Sequence, residues 1–319
     1  MKAAIATAYG SPDVIHIADV LTPSPKMNEV LIRIHASAVN AADWRLRSAN
    51  PWFVRLVFGP FKPRRPILGV VFAGEVVETG TDANRYKKGD RLFGWTSIMG
   101  LGGHAEYIAL SENGAFAPMP SGMSYTDAAA IPFGFGTARH FLSKAKVGKD
   151  QRVLIYGASG AVGSAAVQLA RSLGAEVTGV CSTRNVELVR SLGAREVIDY
   201  TKDDLLAHRD RFDVVFETVG KLPFKESIAL VKPKGTIITG SEMPAQMLAR
   251  VFASKGGKKV TVIGGTAGES ADDMRHLAEL WRRGEIRAVI DSTYPLARIQ
   301  EAHSVAESGR KVGNVVITC

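Results

Sequence analysis

The spacing of apolar and polar residues changes texture along the chain. Up to about residue 120, short runs rich in β-branched and aromatic residues predict strands: Val30–His35 (VLIRIH), Val70–Glu78 (VVFAGEVVE) and His104–Ala109 (HAEYIA). Turn signals SPKMN, TGTD and KKGD separate them, and Pro23, Pro25, Pro60, Pro63 and Pro66 punctuate the connections. Near Tyr125 the texture shifts. TDAAAIPF leads into a helix predicted over Thr137–Ala145, and from Arg152 short apolar runs alternate with helical stretches. Strands are expected at Val153–Tyr156, Glu176–Val180, Glu196–Ile198, Asp213–Phe216, Thr236–Thr239 and Val260–Ile263. That rhythm predicts a doubly wound, six-stranded parallel sheet. The tail reverts to helical DDMRHLAELWRRGEI, strand-like AVIDSTYPL, helical ARIQEAHSVAESG and a closing NVVIT. The chain therefore reads as α/β, with a doubly wound domain over 122–266 inserted into a β-rich domain built from 1–121 and 267–319. No internal repeat or low-complexity tract is visible.

The most informative stretch is Val153–Gly163, VLIYGASGAVG. Gly157, Gly160 and Gly163 stand where a strand turns into a helix, where backbone must approach a pyrophosphate, and where helix packs on sheet. Val162, Ala165, Ala166, Leu169 and Leu173 form the apolar stripe of the helix that follows, and Gly174 stops it. The N–H groups of Ala161, Val162 and Gly163 then face an anion, with Ser159 in the same turn. This points to a dinucleotide. NAD sites place an acid at the end of the second strand to hold the ribose 2′-hydroxyl. Here the chain reads Cys181-Ser182-Thr183-Arg184-Asn185, with no acid before Glu187. Ser182 can donate to a phosphate oxygen and Arg184 can neutralise it, so NADPH is favoured over NADH. Tyr200, after the third strand, either packs on the adenine, reaches the same phosphate, or is a surface aromatic.

Composition narrows the class. With 319 residues the chain suggests about two domains, and 46 % hydrophobic with 22 % charged residues excludes a disordered or fibrous protein. No apolar run reaches the ~18 residues of a bilayer span, and no secretory signal is visible at the start. Two cysteines, Cys181 and Cys319, exclude a disulfide scaffold and fit a reducing cytoplasm. Forty Lys and Arg against thirty-one Asp and Glu give a formal charge of +9, which suits nucleic acid, an anionic membrane or an anionic cofactor. The segment Pro51–Pro66 (PWFVRLVFGPFKPRRP) reads equally as a lid over a flat apolar substrate or as a loop whose aromatics join the core. Without a recognisable binding module it does not indicate nucleic acid.

The chain resembles the medium-chain dehydrogenase/reductase superfamily, in its zinc-free quinone oxidoreductase branch (ζ-crystallin-like and alkenal-reductase-like). The resemblance covers nearly the whole chain. It runs through Ala38–Arg47 (AVNAADWRLR), Gly69–Gly80 (GVVFAGEVVETG), Gly89–Phe93 (GDRLF), Gly103–Ala109 (GHAEYIA), Ala129–Thr137 (AAIPFGFGT), the glycine cradle, Arg190–Tyr200 (RSLGAREVIDY), Phe212–Gly220 (FDVVFETVG) and GRKVGNVVI. It implies a six-stranded Rossmann domain inserted into a GroES-like catalytic domain, a homodimer pairing along the Val260–Ile263 edge, and no nucleic-acid or membrane partner.

By the resemblance, Asn40 lies beside the nicotinamide or substrate oxygen and Thr137 beside the nicotinamide ribose or ring. Asp43, Trp44 and Trp95 border the substrate pocket. Cofactor contacts extend to Val219, Gly240, Gly264 and Asn314. The positions of zinc ligands in zinc-dependent relatives correspond to Asn40, Val70-Val71 and Phe133, which cannot hold the metal. His35, His104 and His140 lack a Cys or acidic partner at ligand spacing, so they are expected to be packed or solvated. Three residues depart from the family pattern: Val71 stands where an Asp is frequent, Asn314 where a Lys is frequent, and Trp44 where a Tyr is frequent.

Without a Lewis acid, hydride delivery to a quinone or to an α,β-unsaturated carbonyl is the reading that needs least of the protein. The alternatives are an enoyl-thioester reductase or dehydrogenase, and a non-catalytic NADPH-binding sensor.

Overall fold

A computed structural model describes residues 1–97, 99–240 and 260–319. In chain order the elements are β1 (Lys2–Ala6), β2 (Ile15–Asp19), β3 (Glu29–Val39), α1 (Ala41–Ser48), α2 (Val54–Phe58), β4 (Val71–Thr79), β5 (Arg91–Trp95), β6 (Tyr107–Ser111), β7 (Phe116–Pro118), α3 (Tyr125–Ala130) and α4 (Pro132–Lys144). Then follow β8 (Arg152–Tyr156), α5 (Ala161–Ser172), β9 (Glu176–Cys181), α6 (Val186–Ser191), β10 (Glu196–Asp199), β11 (Phe212–Glu217), α7 (Phe224–Leu230), β12 (Val231–Thr239) and β13 (Thr261–Gly264). The tail holds α8 (Ala271–Arg282), β14 (Ile290–Pro295), α9 (Ile299–Glu307) and β15 (Asn314–Thr318). Among the described residues no helix is long and apolar enough to cross a membrane.

The chain divides into two compact units, Met1–Phe133 with Glu269–Cys319, and Gly134–Gly268. In the first, a seven-stranded sheet has the order β14-β15-β3-β4-β5-β7, with β6 also on β3. Long β3 is its spine because VLIRIHASAV alternates enough apolar positions to bury one face over its whole length. Ile32, Ile34, Phe72, Val76, Leu92 and Phe116 pack there. Helix α3 packs on β3, β4 and β15, so 122–133 belongs with this unit rather than with the doubly wound one expected from residue 122.

The second unit is a six-stranded parallel sheet in the order β10-β9-β8-β11-β12-β13. The chain enters at the centre, winds outward through β9 and β10, and returns to the far side of β8 as β11. In sheets of this kind ligands bind at that reversal, beyond the carboxyl ends of the strands.

Several boundaries differ from expectation. The strand placed at His104–Ala109 forms at Tyr107–Ser111, while Ala105 makes only an isolated bridge to Ala3. Helix α4 begins at Pro132 rather than Thr137, because proline is tolerated in a first helical turn. Leu173 leaves the predicted stripe. It caps α5 and is 45 % exposed, since the helix stops at Ser172. In Pro51–Pro66 the core reading fails for Trp52 and Phe61, which are exposed.

Candidate active site

The glycine cradle is built by close approach. Gly157 has φ +82°, and a Cβ there would stand 2.0 Å from Val219 Cγ2. A Cβ at Gly163 would stand 2.1 Å from the Gly157 carbonyl oxygen, so strand end and helix touch backbone to backbone. Gly160 is different: its nearest neighbour would be the Gly157 oxygen at 3.5 Å, an ordinary contact. Gly160 caps α5 without a side-chain bond, and the first N–H groups of the helix, at Ala161, Val162 and Gly163, have no intrahelical partner. This open, dipole-favoured end fits a pyrophosphate.

The neighbouring strand ends complete the cradle. Asn185 is buried and donates Nδ2–H to Ser159 Oγ at 3.0 Å, tying the cradle turn to the end of β9. Asp199 is held by Thr183 Oγ1 at 2.5 Å and by the Thr201 N–H and hydroxyl at 3.0 and 2.7 Å. The Thr183 bond leads in holding its carboxyl below the usual range, against the opposing pull of burial. Its Oδ2 thus ties the 182–185 turn to the end of β10, while its Oδ1 shapes the turn that follows β10. Burial pushes the Cys181 thiol up to about 11, so it stays protonated. Arg184 and Tyr200 are exposed beside this turn, and Ser182 is half-buried. On the other side, buried Glu217 accepts the N–H groups of Val219 and Gly220 at 2.8 and 2.6 Å, fixing the β11 turn. Gly240 donates to the Glu217 carbonyl at 2.9 Å, and Gly264 ends β13 at the same edge.

Gly134 was not singled out from sequence. A Cβ there would stand 2.6 Å from the Ala161 carbonyl oxygen, so α4 lies directly against the start of α5. Thr137, three residues on, shares that helix face. A glycine inside a helical pattern was the available signal, and the helix start at Pro132 is what gives it meaning.

The first unit carries a separate group of buried donors. Asn40, 2 % exposed, caps α1: its Oδ1 accepts the Ala42 N–H at 3.0 Å, while its own N–H donates to Asp43 Oδ2 at 2.9 Å. The other Asp43 oxygen accepts the Gly69 N–H at 3.1 Å. Full burial raises the Asp43 carboxyl to about 7 despite these backbone bonds. Val70 accepts the Thr96 N–H and Val71 pairs with Trp95, so α1, β4 and β5 converge here. Two buried donors, Asn40 Nδ2 and Trp95 Nε1, have no partner. Trp44 is half-buried with Arg45 across its ring. Asn314 precedes Val315, which pairs with Val39 just before Asn40. The Asn314 Nδ2–H donates to the Val289 carbonyl at 3.0 Å and ties the start of β15 to the preceding chain.

The donor set does not fit zinc. Asn40 offers an amide, Val70 and Val71 are fully buried aliphatics, and Phe133 lies against Trp95 with ring centroids 5.8 Å apart. Among the described residues no three His, Cys, Asp or Glu side chains gather at metal-binding distance. His35 stacks on Tyr125 at 4.2 Å, and His140 accepts the Gly268 N–H at 3.2 Å. His104 packs against His303 at 5.5 Å, beside buried Arg47, whose Nη2 bonds Glu307 at 2.5 Å.

Burial lowers the His104 ring to about 4, and it depresses His303 well below the usual value, with His104 and Arg47 adding repulsion. Below pH 6.5 the unfolded chain protonates both rings, while burial favours the neutral rings in the folded chain. Asp43 opposes them, since it holds a proton in the folded state only. Acidification below pH 6.5 should therefore lower stability through the two rings, with Asp43 offsetting part of the loss. Urea melts at stepped pH check this, and a flat profile would contradict it.

Residues 26–121 match the family model for the alcohol dehydrogenase GroES-like domain, and residues 192–317 that for zinc-binding dehydrogenase. A chloroplastic quinone-oxidoreductase of Triphysaria versicolor is 32 % identical over 97 % of this chain and 94 % of its own. The chloroplastic NADPH-dependent alkenal/one oxidoreductase of Arabidopsis thaliana is 29 % identical over 99 % of this chain and 79 % of its own. The structure of the quinone oxidoreductase from Coxiella burnetii superposes with a TM-score of 0.92 at 28 % identity, covering 100 % of this chain and 99 % of that one.

Proposed function

The chain belongs to the medium-chain dehydrogenase/reductase superfamily, among its quinone oxidoreductases, and from that premise we propose that it is a zinc-independent NADPH-dependent reductase of quinones or α,β-unsaturated carbonyls. The observation that carries this reading is Asn40, a buried amide with an unpartnered Nδ2–H, at the position to which the family resemblance assigns a zinc ligand in metal-dependent relatives. NADPH, when bound, supplies the hydride. Ala161, Val162 and Gly163 hold the pyrophosphate through backbone N–H groups, and Ser182 with Arg184 hold the 2′-phosphate. Asn40 donates Nδ2–H to the substrate oxygen as negative charge develops on it. Asp43 fixes the backbone of Asn40 and the Gly69 turn, so it positions the donor. Thr137, on the α4 face beside the cradle, orients the nicotinamide ribose.

The test follows dihydronicotinamide absorbance with a 1,4-quinone, an enone and an enoyl thioester. Quinone- or enone-dependent oxidation supports the proposal. Turnover with the thioester alone would favour an enoyl-thioester reductase, and tight NADPH binding without turnover would favour a sensor. Arg184→Ala should raise the NADPH Kd by about tenfold or more and leave NADH nearly unaffected. Equal effects on both would remove the 2′-phosphate from this position.

A further inference from the structure

The segment Pro51–Pro66 of the first unit remains outside this chemistry. Four large apolar side chains stand exposed within it: Trp52 at 71 %, Leu56 at 70 %, Val57 at 54 % and Phe61 at 90 %. Leu56 and Val57 lie on α2, and Trp52 lies in the turn that leads into it. Arg55, Lys62, Arg64 and Arg65 are exposed in the same segment, which contains no acidic residue. Arg65 donates to the Gly100 carbonyl at 3.0 Å, bringing the loop that carries exposed Met99 alongside.

This display is built into the backbone. The Gly59 carbonyl accepts the Tyr9 hydroxyl at 2.8 Å, and Arg55 lies 5.1 Å over the Tyr9 ring. Arg64 N–H closes the turn onto the Phe58 carbonyl at 2.8 Å. A Cβ at Gly59 would stand 2.2 Å from the Lys62 oxygen, so the turn is tight and holds Phe61 outward.

Aromatic and aliphatic side chains held in water, interleaved with unopposed Lys and Arg, have the chemistry of an interfacial lipid anchor. We propose that this segment docks on an anionic lipid bilayer surface. Trp52, Leu56 and Phe61 enter the headgroup boundary, and Arg55, Lys62, Arg64 and Arg65 meet lipid phosphates. Sequence alone led to the expectation of no membrane partner; the exposure of these side chains is what changes it. The docking does not depend on the substrate reading.

Co-sedimentation of the full chain with phosphatidylcholine vesicles, alone or mixed with phosphatidylglycerol, tests it. Binding is expected to mixed vesicles, to fall with added salt, and to be weak on phosphatidylcholine alone. The double variant Trp52→Ser/Phe61→Ser should weaken it about tenfold or more, and Lys62→Glu/Arg64→Glu should do the same. Lys87→Gln/Lys88→Gln, two exposed charges in another loop, should leave it unchanged. Thermal melts confirm that each variant folds. The proposal is overturned by no binding to mixed vesicles at low salt, by undiminished binding in Trp52→Ser/Phe61→Ser, or by equal loss in the Lys87/Lys88 variant. Self-association abolished by Trp52→Ser/Phe61→Ser, without vesicle binding, would overturn it in favour of a second copy of this chain.

Discussion

Gly163→Ala is expected to lower stability by about 3 kcal/mol and weaken NADPH binding by about 100-fold. The added methyl would lie 2.1 Å from the Gly157 oxygen, 2.8 Å from its carbonyl carbon and 2.9 Å from Ala158 Cα. All three are backbone atoms, so no side chain can swing aside, and relief requires pulling α5 away from β8. Gly160→Ala separates binding from folding. Its methyl meets only the Gly157 oxygen at 3.5 Å, and its backbone, with φ −78°, suits any residue. The cost is a weaker cap, no more than about 1 kcal/mol. The methyl nevertheless points to where a pyrophosphate would rest, so NADPH affinity should drop about tenfold. Thermal melts and NADPH fluorescence titrations on the two variants check both halves. Wild-type affinity in Gly160→Ala would remove the phosphates from the start of α5.

Asn40→Ser should cut kcat/KM by about 100-fold with little change in Tm. The serine hydroxyl still accepts the Ala42 N–H as an N-cap, and Asp43 still receives the backbone N–H of residue 40. What disappears is the Nδ2–H, which is buried and unpartnered in the folded protein. Because that donor meets charge that grows as the hydride arrives, the loss should fall on kcat rather than KM. Asn40→Ala removes the cap as well and should cost a further ~1 kcal/mol of stability. Steady-state kinetics with a quinone or enone, beside thermal melts, separate the two. Wild-type turnover in Asn40→Ser would end the assignment of Asn40 as the oxygen's partner.

Much of the cofactor half was legible because its determinants are local. VLIYGASGAVG announces strand, turn and helix within eleven residues, and the observed β8, Gly157 turn and α5 follow it. Gly134 escaped notice because its neighbour, Ala161, is distant in sequence. Asp199 escaped because its importance lies in a bond from Thr183 on the adjacent strand end. The Asn314 amide donates to the Val289 carbonyl, 25 residues away, a tie that its sequence neighbours do not reveal. The buried group of Arg47, His104 and His303 was hidden altogether: Arg47 and Glu307 are 260 residues apart along the chain.

Sequence by itself determined the alternation of elements, the order in which a doubly wound sheet would be laid down, and the glycines at its first turn. These follow from periodicity and from backbone conformations that only certain residues adopt. Tertiary structure decided which polar atoms are stranded in the interior and which apolar side chains are left in water. Asn40 and Phe61 show the two cases, a buried amide without a partner and an aromatic ring 90 % exposed. Burial is a sum over contacts from distant parts of the chain, so neither residue's environment was written in its neighbours.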